Sequence, residues 1–130
     1  MRGLKTMPIE SNNISSIIQE ARSNSTELPW IEFKMNNANP QEIGEYVSAL
    51  SNTAALYNQN YGFLIWGIDD ETHKIESTTF NPQKAKQGNQ SLELWISTQL
   101  DPQVQFFFHT SVIDNQNVVL LKLLRLTQRL

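Results

Sequence analysis

Two kinds of side chain in this sequence could act on a ligand that carries phosphate. The acids come first: Asp69 and Asp70 close the charge-free run YGFLIWGI of residues 61–68, and Glu32 stands two residues before Lys34 in WIEFKM, residues 30–35. Residues two apart on an extended chain share a face, so Glu32 and Lys34 are neighbours, whereas adjacent Asp69 and Asp70 point apart and at most one of them faces a common site. The bases come second: Lys34, Lys84, Lys86, Arg125 and Arg129 are the candidates for a patch that meets a nucleic-acid backbone. Each group also has a plainer role, with Glu32 pairing with Lys34 or a neighbouring strand, the aspartates forming turns, and the bases scattered in solvent. His73 and His109 have no partners at metal-ligand spacing and read as a turn residue and a sheet residue.

The elements that must position these groups are legible from residue periodicity. Asn39 can cap a helix, Pro40 suits its first position, and Glu42 can reach back in a capping box. Behind that start, Ile43, Val47, Leu50 and Ala54 recur at spacings of three and four, so the helix has one apolar face. Asn58, Gln59 and Asn60 stop it, and residues 61–68 then read as a central strand covered on both faces. Upstream, Ile31, Phe33 and Met35 alternate with Trp30, Glu32 and Lys34, which predicts a further strand. A helical crossover between strands of one sheet makes them parallel, so Lys34 and Asp69 should lie toward the same sheet edge, where open sheets place ligands.

The rest of the chain fills out the layers. Ile14, Ile17, Ile18 and Ala21 form a short helical stripe that should pack on the sheet, and Leu92, Trp95, Ile96 and Leu100 form another, stopped by Asp101 and Pro102. A short strand is expected over residues 74–80 and a mobile loop over 83–88. Residues 104–113 and 118–124 should make a hairpin across Asp114, Asn115, Gln116 and Asn117, with Phe106 and Phe108 on one face and Phe107 and His109 on the other. The Phe106–Phe108 run is a core signal first and a stacking platform for single-stranded bases second. The fold class is therefore α+β: one domain with a mixed β-sheet, a βαβ unit and a C-terminal β-hairpin, packed by two or three helices.

Four separated blocks carry a family resemblance: TELPWIEFKMN, EIGEYVSALSNTAALYNQNYGFLIWGIDDETHKIESTTF, LELWISTQLDPQVQF and VVLLKLLRLTQR agree in order and spacing, over roughly residues 14–129, with the Schlafen-type Alba-like (AlbA_2) domain. The resemblance implies nucleic-acid binding, of DNA more than RNA, by a module of a bacterial regulator or helicase-related protein. Relatives commonly continue into another strand and a Gly-containing turn, so the chain reads as shortened at Leu130 relative to the family. The Gly-Gly that often precedes the central strand is here Asn60 and Tyr61, followed by Gly62. Some Schlafen relatives resemble metal-dependent RNA nucleases with three acids, and Glu27 and Glu32 match their paired glutamates. With Asp69 or Asp70 these residues would hold Mg²⁺ or Mn²⁺, hard cations suited to oxygen ligands that activate water at a phosphodiester, and Lys34 would meet the substrate phosphate.

Composition narrows these readings. The 130 residues, 39% of them hydrophobic, suffice for one core, and the absence of cysteine excludes disulfides and thiolate metal sites. No segment reads as a signal peptide or membrane span, so a cytoplasmic protein without membrane partners is expected. Ten basic against thirteen acidic residues give a net charge of −3, which opposes strong non-specific attraction to phosphates and makes any binding dependent on a local patch. Neither a Walker loop nor a GxGxxG turn supports nucleotide binding. The readings in order are a nucleic-acid-binding module without enzymatic activity or resident cofactor, a metal-dependent nuclease, and an interaction module that homodimerises through the apolar LLKLLRL segment.

Overall fold

A computed structural model of the chain describes residues 14–24 and 28–127. The order of elements is α1 (Ile14–Arg22), β1 (Ile31–Lys34), α2 (Pro40–Leu56), β2 (Tyr61–Trp66), β3 (Lys86–Gln87), β4 (Gln90–Ser91), α3 (Leu92–Gln99), β5 (Phe106–Ile113) and β6 (Gln116–Leu124). Four strands make one mixed sheet in the order β1-β2-β6-β5, and β3 and β4 form a separate small hairpin. The architecture is the α+β domain that the sequence pattern predicts.

Local chemistry explains the central unit. Asn39 accepts a hydrogen bond from the Glu42 amide at 3.0 Å, and Pro40 occupies the first turn, so α2 starts where the pattern places it. Asn37 rather than the helix cap receives the Glu42 carboxylate, its amide donating to Oε1 at 2.8 Å. Strand β1 pairs in parallel with β2, Glu32 opposite Leu64 and Lys34 opposite Trp66. Gly62 is required by a close approach: a Cβ there would lie 3.0 Å from both the Leu50 carbonyl oxygen of α2 and Leu123 Cδ1 of β6.

The sheet separates two apolar layers. One holds Ile43, Val47 and Leu50 of α2, Leu92 and Ile96 of α3, and the strand residues Leu64, Trp66, Leu121, Leu123 and Phe106. The other holds Ile14, Ile18 and Ala21 of α1 against Ile31, Phe33, Phe63, Ile65, Val118 and Leu120. Alternation along β1 thus sends Ile31 and Phe33 toward α1 and Glu32 and Lys34 toward α2. The LLKLLRL segment lies in and just after β6, an interior strand flanked by β2 and β5, and Leu120, Leu121 and Leu123 have no exposed surface. Its apolarity belongs to the core and not to a free sheet edge.

Three local expectations differ from the structure. Residues 74–80 are not a strand beyond the single bridge Ile68–Ile75. They are held by side chains instead: Asn36 Oδ1 accepts from Thr78 Oγ1 at 2.8 Å and from the Thr79 amide at 2.9 Å, and the Asn117 carbonyl accepts from the Thr78 amide. The 83–88 region holds the end of a turn over residues 82–84 and then the strand β3 of the β3-β4 hairpin, with the Leu92 amide donating to the Ala85 carbonyl at 2.9 Å. The β5-β6 connection is shorter than four residues, because Ile113 pairs with Gln116 and only Asp114 and Asn115 turn the chain. Both have positive φ, 52° and 63°, the pair of left-handed conformations that a two-residue hairpin with matching twist demands. Among the described residues no helix is long and apolar enough to cross a membrane.

Candidate nucleic-acid interface and ionic rim

Parallel pairing carries the ends of β1 and β2 to one rim. The Lys34 carbonyl accepts from the Gly67 amide at 2.7 Å and from the Ile68 amide at 3.3 Å, so Lys34 and the start of the Asp69 turn leave the sheet together. Gly67 allows this exit: its φ is +97°, and a Cβ would stand 2.8 Å from the Asn117 carbonyl oxygen.

At the rim the sheet divides the charged groups. Glu32 and Lys34 lie on the α2 side, where Lys34 Nζ approaches Glu32 Oε2 at 3.9 Å and sits 4.6 Å from the Tyr46 ring centroid. Partial burial works against the ammonium. The Tyr46 hydroxyl and the charges of Glu32 and Glu42 outweigh it and hold the Lys34 pKa above its ordinary value. Lys34 therefore stays charged and already has a carboxylate beside it.

The Asp69 turn lies on the α1 side. Asp69 Oδ1 accepts from the Glu71 and Thr72 amides, both at 2.8 Å, and these bonds hold its carboxyl below the usual aspartate range. The turn is fastened further on, where Arg22 Nε donates to the His73 carbonyl at 2.7 Å and the His73 ring packs edge-on against Phe33 at 4.8 Å. His73 is buried with φ +62°, the turn residue that the sequence suggests. Asp70 is exposed beside it. Glu27 lies outside the described residues, and among the described residues no three His, Asp or Glu side chains gather as a metal-binding group.

The basic candidates are spread over the molecule. Because β6 runs antiparallel to β2, Arg125 is at the end of the sheet opposite Lys34: its amide donates to the Asn60 carbonyl at 3.0 Å and its guanidinium to Asn58 Oδ1 at 3.1 Å. Lys84 and Lys86 are exposed on the turn and hairpin before α3. The neighbouring Pro82 and Gln83 border a shallow groove with Gln105, Phe106 and Phe107 at the start of β5, which brings this basic segment toward the Arg125 end. Arg129 lies outside the described residues. Lys84, Lys86 and Arg125 make no ion pair with a described carboxylate.

One basic residue escapes the sequence reading. Lys122 interrupts the apolar run of β6, opposite both Phe63 and Phe107, on the sheet face that α1 partly covers. Its ammonium lies 5.0 Å from the Tyr61 ring centroid and 5.2 Å from that of Phe107, and no described carboxylate pairs with it. On the same face, burial first and the Lys122 charge second hold the His109 pKa below its ordinary value, and the buried His109 Nε2 has no hydrogen-bond partner among the described residues. The signal for Lys122 was its charge in a strand otherwise apolar at every position from Val118 to Leu124.

Comparison with known proteins adds one finding. The family model described as "Schlafen, AlbA_2" matches residues 27–129, from the segment before β1 to beyond β6. No curated protein matches the chain.

Proposed function

Because the chain belongs to the Schlafen AlbA_2 family, we propose that it is a nucleic-acid-binding module that binds DNA in preference to RNA. In keeping with the resemblance, its setting is a bacterial regulatory or helicase-related protein. The observation that carries this reading is that Lys84, Lys86, Lys122 and Arg125 are among the cations that pair with no carboxylate among the described residues, in a chain of net charge −3. Cations already paired within the protein gain little from a phosphate, whereas unpaired ones release counterions from the nucleic acid when they bind. Lys34 is a weaker contributor, since Glu32 lies 3.9 Å from its ammonium.

Equilibrium binding to a labelled DNA duplex, a single strand and the matching RNA over a range of salt tests the reading. Measurable affinity that falls with salt, and falls further in the Lys84→Glu/Lys86→Glu double variant, supports it. Affinity absent at low salt contradicts it.

A further inference from the structure

We propose that the face of the sheet at the Arg125 end binds a single-stranded stretch of nucleic acid, with bases stacked on Tyr61 and Phe107 and a phosphate held by Lys122. The inference rests on the nucleic-acid reading above and names its ligand form and contact residues.

Three neighbouring strands build this surface. Phe107 of β5 and Phe63 of β2 both stand opposite Lys122 of β6, and Tyr61, two residues before Phe63, shares their face. The register therefore places Phe63, Lys122 and Phe107 in one row across β2, β6 and β5, with Tyr61 on the same face one diagonal step away, its ring 5.0 Å from the Lys122 ammonium. Helix α1 packs its Ile14, Ile18 and Ala21 among Phe33, Ile65, Ile68, Ile113 and Val118, while Phe107 keeps 43% of its surface exposed and Tyr61 and Lys122 are half-buried.

Phe107 makes the function visible by contrast with its neighbours. Phe106 and Phe108 point into the α2 layer, where they meet each other at 6.1 Å and Phe108 meets Trp66 at 6.2 Å. Phe107 contributes nothing to that cluster. A large aromatic side chain that is 43% exposed, beside an ammonium that pairs with no described carboxylate, suits a ligand that offers both a flat ring and a negative charge.

The chemistry selects single strands. An aromatic ring stacks on a base only when that base is unstacked from its neighbours, which a duplex does not offer at its outer surface. The ammonium, lying between the two rings, can leave them for a phosphate without breaking an ion pair to any described carboxylate. Arg125 stands at the same end of the sheet, its guanidinium steadied by Asn58, and extends the positive rim along which a backbone would run.

The test is fluorescence anisotropy at low salt with labelled oligo-dT and oligo-rU of about 12 nucleotides and a duplex of the same length. The wild-type chain is expected to bind the single strands more tightly than the duplex. Phe107→Ala and Tyr61→Ala should each weaken single-strand binding roughly 5- to 150-fold, Phe107→Trp should retain it, and Lys122→Gln should weaken it while reducing the single-strand salt slope by about 0.7. Unchanged thermal melting of Phe107→Ala, whose ring is largely outside the core, separates lost stacking from lost folding. Wild-type affinity for single strands with no response to Phe107→Ala, Tyr61→Ala or Lys122→Gln overturns the inference. Duplex binding lost in Lys84→Glu/Lys86→Glu but indifferent to these three variants overturns it while leaving the nucleic-acid reading standing. Binding to none of the probes overturns both.

Discussion

Replacing Gly67 by alanine tests the geometry of the rim that joins β1, β2 and the Asp69 turn. The residue has φ +97°, which costs an L side chain about 1–2 kcal/mol. Its new Cβ would also meet the Asn117 carbonyl oxygen at 2.8 Å, closer than real Cβ atoms come. That oxygen cannot simply withdraw, because it accepts from the Thr78 amide at 2.9 Å. Against these costs stands a gain of about 0.4–1 kcal/mol from the stiffer unfolded chain. The net expectation is a destabilisation of about 1–3 kcal/mol. For 130 residues, an unfolding entropy of about 2.1 cal/mol/K per residue converts this to a Tm lower by roughly 4–11 °C. Gly44→Ala provides the opposite case, since Gly44 lies inside α2 with nothing within 4 Å of an added Cβ. It should raise Tm by about 3 °C through helix propensity alone. Thermal unfolding followed by circular dichroism reads both variants. A Gly67→Ala protein as stable as the wild type, or one indistinguishable from Gly44→Ala, refutes the reasoning.

Other expectations follow from single contacts. Trp66 is fully buried and its indole N–H donates to the Asn37 carbonyl at 2.8 Å, so Trp66→Phe should cost about 1–3 kcal/mol in urea unfolding; a loss below the error of the fit contradicts the role given to that bond. Asp69 has a folded pKa below its ordinary 3.8, so its contribution is fully present above that value and is lost as pH falls through the lower folded value. The Glu71 and Thr72 amide resonances should therefore titrate with a midpoint below 3.8 in the wild type and not respond to this group in Asp69→Asn; a midpoint at or above 3.8 contradicts the turn geometry.

The sequence revealed elements whose chemistry is local and missed what depends on distant partners. Asn39 and Pro40 mark the start of α2 by themselves, and the alternation in residues 30–35 assigns Ile31 and Phe33 to one face and Glu32 and Lys34 to the other. Parallel pairing of β1 with β2 followed from the helix between them. The path of residues 74–80 did not, because it is set by Asn36 and Asn117, which are far away in the chain. The rim was foreseen as one ionic cluster, and both Lys34 and the Asp69 turn do leave at the same edge. Yet Lys34 turns toward Tyr46 and the turn toward α1, a division by sheet face that spacing does not encode.

The basic groups show the same limit. Lys34 and Arg125 look alike as isolated charges in a sequence, but the antiparallel course of β6 sends them to opposite ends of the sheet. Lys122 drew no notice because a lone charge in VVLLKLL is outweighed by the apolar residues around it. Only the register with Phe63 and Phe107 shows that it emerges between rings.

The central claim, the proposal that cations without a described carboxylate partner at the Arg125 end hold a nucleic-acid backbone, is tested most directly by a salt titration of binding. With Lys84, Lys86, Lys122 and Arg125 engaged, log K against log salt should fall with a slope of about −2 to −4 for the 130-residue chain, becoming shallower as each of these residues is neutralised. No detectable binding at low salt, or binding whose affinity does not change with salt, would contradict the account.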